Sequence, residues 1–298
     1  MTHFANVMQR MFNTPVMIRQ EKAEMIVAAL ADRLGIASLQ RMDGSAMTSV
    51  EMNAMAAVGR RERRVESRMF DVVDNVAWIP ISGTLVHKLG SLDPYSGMTG
   101  YDGIMTKVRS AMADEDVRAI WLDIDSPGGE VSGCFDTARE IAAYSKRSGG
   151  KPIWAMCNET ACSAAYAIAS AADKVFAPET SVVGSIGVYI LFVDWTKALD
   201  KDGIAVQFIR SGTKKARGSG YEAIDADTIA KLQASVDETR EMFVRLVASN
   251  RRLTQQKVRD TEADWYGGNA ALNLGLIDGV MSEVEAFSKL QQSLARAG

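Results

Sequence analysis

The chain has 298 residues, 47% hydrophobic and 24% charged, the balance of a soluble globular protein built as one large domain with or without appendages. A formal net charge of −3 offers no footprint for nucleic acid as the main partner. Three cysteines, Cys134, Cys157 and Cys162, are too few and too irregularly spaced for a disulfide framework or a zinc site, so no metal and no cofactor is expected.

From the N-terminus, residues 1–16 lack the basic start, apolar run and small-residue cleavage site of a secretory signal. No window reaches the roughly 18 consecutive apolar residues of a membrane span. The expectation is a soluble, cytoplasmic protein without a membrane anchor. Ile18, Met25, Ile26, Ala29, Leu30 and Leu34 fall at near-helical spacing ahead of Gly35, which predicts a helix over 16–35. The pattern then dissolves into Met, Ala and Ser and the charge run Arg60-Arg61-Glu62-Arg63-Arg64. Ten of the sixteen methionines lie within the first 70 residues, so this part reads as a helical appendage and linker.

The core begins near Val72. Val76–Ile81 is a short apolar run closed by Ser82-Gly83 and predicts a buried strand. Ile104, Met105, Val108 and Met112 share one helical face over 101–113. Ala119–Ile124 predicts a second strand, followed by a sharp turn at Ser126-Pro127-Gly128-Gly129. A helix over 131–144, a strand over 152–156, a small-residue helix over 163–172 and a strand over 174–177 come next. Strands are expected over 188–193 and 205–209, with a short helix over 194–201 between them. A long amphipathic helix over 227–250 has Ile229, Leu232, Val236, Phe243 and Leu246 on its inner side. Strands alternating with helices predict an α/β fold with a mainly parallel sheet and covering helices.

Chemistry comes from a few polar residues at the joints of this pattern. The chain has two histidines, His3 at the terminus and His87 after the first core strand. A serine nucleophile needs a positioned base, which here is either His87 or another residue type. Lysine takes that role when desolvation favours its neutral amine, and Lys214-Lys215 follow a predicted strand. Ser163 lies between a strand and a helix, with small residues on both sides, where unpaired helix N–H groups can stabilise an oxyanion. The glycines of Ser126-Pro127-Gly128-Gly129 let another backbone N–H approach bound substrate. Each piece also has a plain reading: a helix cap, a solvated basic loop, an ordinary strand-to-helix turn.

Five segments in order resemble the motifs of the signal peptide peptidase A family, peptidase family S49. They are Asp125–Val131, Ala161–Tyr166, Gly184–Val188, Ser211–Lys215 and Ala271–Asp278, within a stretch of about residues 72–285. The resemblance implies a ClpP/crotonase-like fold and a Ser–Lys dyad. It implies Ser163 as nucleophile, Lys215 as general base, Ser185 as the lysine's hydrogen-bond partner, and the N–H groups of Gly129 and Ala164 as the oxyanion hole. On that reading residues 1–70 are the appendage, 71–285 the protease domain and 286–298 a helical tail.

One departure is Ser163-Ala164-Ala165-Tyr166, where the family usually has Ser-Gly-Gly-Tyr; the added methyl groups narrow the cleft. The missing membrane anchor and the softer match of Phe12–Val16 are similar to the phage-encoded head-maturation branch. That branch implies a homo-oligomeric serine endopeptidase acting on capsid and scaffold proteins in the host cytoplasm, within procapsids. The alternatives are a catalytically silent phage head protein and a crotonase-type acyl-CoA enzyme, since a shared fold does not fix function.

Overall fold

The structure, a computed structural model, describes residues 69–93 and 96–296 and the backbone of three short strands nearer the N-terminus. In chain order the strands are β1 (Val16–Ile18), β2 (Ser38–Gln40), β3 (Ala46–Thr48), β4 (Asp71–Val73), β5 (Val76–Val86), β6 (Met98–Gly100), β7 (Ala119–Glu130), β8 (Ile153–Cys162), β9 (Lys174–Ala177), β10 (Val182–Gly184), β11 (Trp265–Gly267) and β12 (Gly279–Val280). The helices are α1 (Tyr101–Ala113), α2 (Cys134–Tyr144), α3 (Ala164–Ser170), α4 (Thr196–Lys201), α5 (Ala226–Arg251), α6 (Gln255–Arg259), α7 (Gly268–Leu274) and α8 (Glu283–Ala295).

The sheet is ordered β11-β10-β8-β7-β5-β4. Its centre is parallel: Ile79 faces Leu122 and Trp121 faces Trp154. Antiparallel β4 and β11 close the two ends of that path. Strand β8 changes neighbour along its length, pairing with β9 over Trp154–Met156 and with β10 over Thr160–Cys162. In β7, Ala119, Ile120, Trp121 and Leu122 form an unbroken buried run, and in β5 the half-buried Trp78 and Pro80 stand between the buried Ala77, Ile79 and Ile81. A parallel sheet covered on both faces requires such continuous apolar runs.

Helix α3 is buried along its whole length and packs on β7. Its alanines permit that close approach. Helix α8 places Ala286, Leu290 and Leu294 on one stripe, which joins Val76, Ala119, Trp121 and Met156 in a single cluster. Phe287 meets Trp121 edge-on with ring centres 5.4 Å apart. The chain forms two units: the larger comprises Met17–Gly187 and Phe243–Gly298, the smaller Met1–Val16 and Val188–Met242.

Several sequence expectations change. Residues 16–18 form a strand that pairs with β7 rather than the start of a helix, and 38–40 and 46–48 pair antiparallel inside the expected linker. Residues 19–35, the charge run 60–64 and His3 lie outside the described residues. Strands β5, β7 and β8 run beyond their apolar stretches because neighbouring strands supply ladder partners; Ser126–Gly129 lies within β7, as a bulge rather than a turn after it. Residues 188–193 and 205–209 form no strand. Among the described residues these segments show no ladder beyond an isolated bridge at Tyr189, and Ile204, Val206 and Ile209 are exposed. In α5, Phe243 and Leu246 are buried as expected, but Ile229 faces solvent.

Candidate active site

The carboxyl ends of adjacent parallel strands β7, β8 and β10 carry Gly129, Ser163 and Ser185. Loops at this edge are the usual place for a site in an α/β sheet. Cys162, the last residue of β8, faces Gly184, the last residue of β10. Ser163 then turns the chain directly into α3 with φ 58° and ψ −123°. A non-glycine residue in that region costs about 1–3 kcal/mol, and such strain clusters at functional sites. The turn is held from two sides. Ser163 N–H donates to Gly184 O at 2.7 Å, and Ser163 O accepts from Ala167 N–H at 3.0 Å. Because its own N–H is spent, Ser163 cannot offer it to a substrate oxygen. The first amides of α3 can, since no side chain caps the helix; Ala164 N–H leads them.

Gly129 faces Leu85 in the β5–β7 ladder, and a Cβ there would collide with the Leu85 backbone. Only glycine fits. Just before it the ladder is irregular: Ser82 faces Asp125 but Thr84 faces Gly128, so β7 carries an extra residue. Gly128 has φ 104° and Gly83 φ 72°. Ser126 is fully buried inside this bulge. Its hydroxyl donates to Gly83 O at 2.6 Å and accepts from Gly128 N–H at 3.2 Å. In the sequence Ser126 stands out only as part of a glycine motif. Its place just after the apolar run Ala119–Ile124 is the signal the sequence offers.

Ser185 has φ 52° and donates its N–H to Asp264 O at 2.8 Å. Its hydroxyl has no hydrogen-bond partner among the described residues. The structure thus brings Ser163, Ala164 and Ser185 together through the paired ends of β8 and β10, with Gly129 next to the end of the neighbouring strand β7. Lys215 belongs to the smaller unit, where its side chain is exposed. Its N–H donates to Gly212 O at 3.0 Å, and its carbonyl accepts from Arg210 at 3.1 Å. The adjacent Lys214 pairs with Asp227 at 3.3 Å. His87 is exposed after β5, its backbone N–H donating to the Glu130 carboxylate at 2.6 Å. No hydrogen bond joins it to Ser163.

Cys134 and Cys157 are poor nucleophiles. Burial pushes Cys134 up to about 12 and raises Cys157 as well, so neither supplies a thiolate at neutral pH. Among the described residues no cluster of His, Cys, Asp and Glu is arranged to hold a metal, and no helix is long and apolar enough to cross a membrane.

The family model for Peptidase family S49 matches residues 145–297. The chain is 37% identical over 298 residues to the head-tail preconnector protein GP5 of Enterobacteria phage P21, covering 98% of this chain and 58% of that protein. It is 38% identical over 285 residues to the capsid assembly protease C of Escherichia phage lambda, covering 95% of this chain and 64% of that one. The chain therefore spans less than two thirds of either relative. A solved ClpP1 mutant from Listeria monocytogenes overlies 69% of this chain and 91% of its own at 15% identity, with a TM-score of 0.44, too loose an overlap to carry an argument.

Proposed function

The chain belongs to peptidase family S49, and from that premise we propose that it is a serine endopeptidase that cleaves capsid and scaffold proteins during phage head maturation. The observation that carries the reading is the backbone of Ser163: a buried serine, forced to positive φ, at a sharp turn from a central strand into a helix. A nucleophile on such a turn needs its hydroxyl beside uncapped helix amides, and α3 begins at Ala164 with no side-chain cap.

In the proposed reaction, Ser163 Oγ attacks the scissile carbonyl and Lys215 Nζ takes its proton. The N–H groups of Gly129 and Ala164 receive the oxyanion, and Ser185 orients the amine. The protonated amine then gives its proton to the leaving nitrogen, and water resolves the acyl-enzyme by the reverse sequence. Lys215 is favoured over Lys214 because Lys214 is already paired with Asp227. A lysine base works when it is shielded from water, and Lys215 is exposed in the single chain. The reading therefore requires a covering layer, supplied by substrate or by a second copy. The apolar residues Ile204, Val206 and Ile209, exposed on the same unit, favour a homo-oligomer.

The test is incubation of the protein with candidate capsid and scaffold proteins, followed by mass spectrometry. Wild type should yield defined fragments and carry a fluorophosphonate label on Ser163, and Ser163→Ala should do neither. Thioester turnover without peptide cleavage would move the assignment to acyl-CoA chemistry.

A further inference from the structure

An oxyanion site is only as good as the placement of its donors, because a preformed donor costs no reorganisation at the moment of reaction. On the β7 side, three features work against fixed placement. The ladder to β5 slips between Ser82 and Thr84, the ladder to β8 slips between Ile124 and Ser126, and Gly128 and Gly129 lack side chains that would restrain them. Both slips converge on Ser126. Its hydroxyl is the group that ties the bulge together, joining Gly83 O on β5 to Gly128 N–H one residue before Gly129. The strand is held next to Gly83, because Thr84 N–H donates to the Gly97 carbonyl at 2.8 Å, and that carbonyl lies so close to Gly83 that a Cβ would strike it. The chain of contacts runs from a fixed strand, through one buried hydroxyl, to the peptide unit next to the donor.

We propose that Ser126 is a positioning residue for the oxyanion site, holding the Pro127–Gly129 bulge so that Gly129 N–H is set for the transition state. The inference rests on the reading of Gly129 and Ala164 as oxyanion donors. Without the hydroxyl, Gly83 O and Gly128 N–H lose their shared partner inside a buried bulge, and the glycine peptides gain freedom. The loss falls on the transition state, where the oxyanion forms, and little on the ground state, where the substrate is held by its other contacts.

The experiment compares wild type with Ser126→Ala in three measurements: kcat and KM on a peptide substrate, inhibition by a peptide aldehyde that forms a tetrahedral adduct, and binding of the uncleaved peptide in a Ser163→Ala background. Expected are a roughly 10- to 100-fold fall in kcat, KM within about threefold, a parallel weakening of the aldehyde, and unchanged peptide binding. Unchanged kcat and aldehyde affinity would overturn the role, as would losses that appear equally in peptide binding. If Ser126→Ala does not fold, Ser126→Cys fills nearly the same volume with a much weaker donor. It should lower kcat and aldehyde affinity together by several-fold, and wild-type values for it overturn the role. Fluorophosphonate labelling separates the two levels: an unlabelled, inactive wild type brings down both readings, whereas a labelled wild type with an unaltered Ser126→Ala brings down only the positioning role.

Discussion

At the scale of single residues, Ser163 and Gly129 show how backbone geometry limits side-chain choice. Ser163 occupies φ 58°, which glycine tolerates and alanine does not. Ser163→Gly and Ser163→Ala should both be inactive, yet differ in stability. Strain of about 1–3 kcal/mol is released in the glycine variant and partly offset by its greater unfolded-state entropy, of about 0.5–1 kcal/mol. Ser163→Gly should therefore unfold at higher denaturant than Ser163→Ala, by about 1 kcal/mol in equilibrium melts. Equal midpoints would mean that the turn holds no strain. Gly129 is limited by space instead. Gly129→Ala drives a methyl group into the Leu85 backbone and should cost about 1–3 kcal/mol, with a slower fluorophosphonate reaction at Ser163. A variant with wild-type stability and labelling rate would show that β5 yields easily.

At the scale of elements, β7 meets the start of α8 through a shared polar group. Asn158 donates to Glu283 at 2.7 Å and also bonds Asp123, whose other neighbour is the Trp78 indole N–H at 3.3 Å. Burial raises both carboxyls above their ordinary values, and the Asp123 charge raises Glu283 further; the hydrogen bonds oppose this without reversing it. The native state thus keeps protons that the unfolded chain releases. Stability should fall as pH rises from the ordinary carboxylate range into the range just above it, then level off. Glu283→Gln preserves an acceptor for Asn158 and removes one charge. Its melting temperature should exceed that of wild type at pH 7, with the difference shrinking towards pH 3–4 in thermal scans. An advantage that grows on acidification would contradict the assignment. Sequence made some elements legible and hid others for physical reasons. The alternation of apolar runs and helical faces disclosed the parallel sheet, and the small residues around Ser163 disclosed the tight turn, because both are local. The 188–193 and 205–209 segments have strand composition without strand structure, because composition says nothing about whether an edge is available. Ser126 was overlooked in its role because its partner Gly83 lies 43 residues earlier in the chain. The pairing of Ser163 with Lys215 came from the order of motifs alone.

At the scale of the whole molecule, the smaller unit exposes Lys215 together with Ile204, Val206 and Ile209. If one copy lends its lysine to the next, mixing inactive Ser163→Ala with inactive Lys215→Ala protein should recover a measurable fraction of wild-type activity. Stable oligomers without recovery reject the shared site, and active monomers at high dilution reject the oligomer requirement. The larger unit carries a consequence of a different kind, because the surroundings of Ser163 are completed from late in the chain. Asp264 O receives Ser185 N–H, Leu276 O receives the Tyr166 hydroxyl at 2.7 Å, and Ala286, Leu290 and Leu294 close the core over β5 and β7. A ribosome delivers Ser163 well before any of these groups. These late contacts form only once residues 264–294 are present, so a chain truncated before Asp264 should leave the Ser185 N–H and the Tyr166 hydroxyl without their partners.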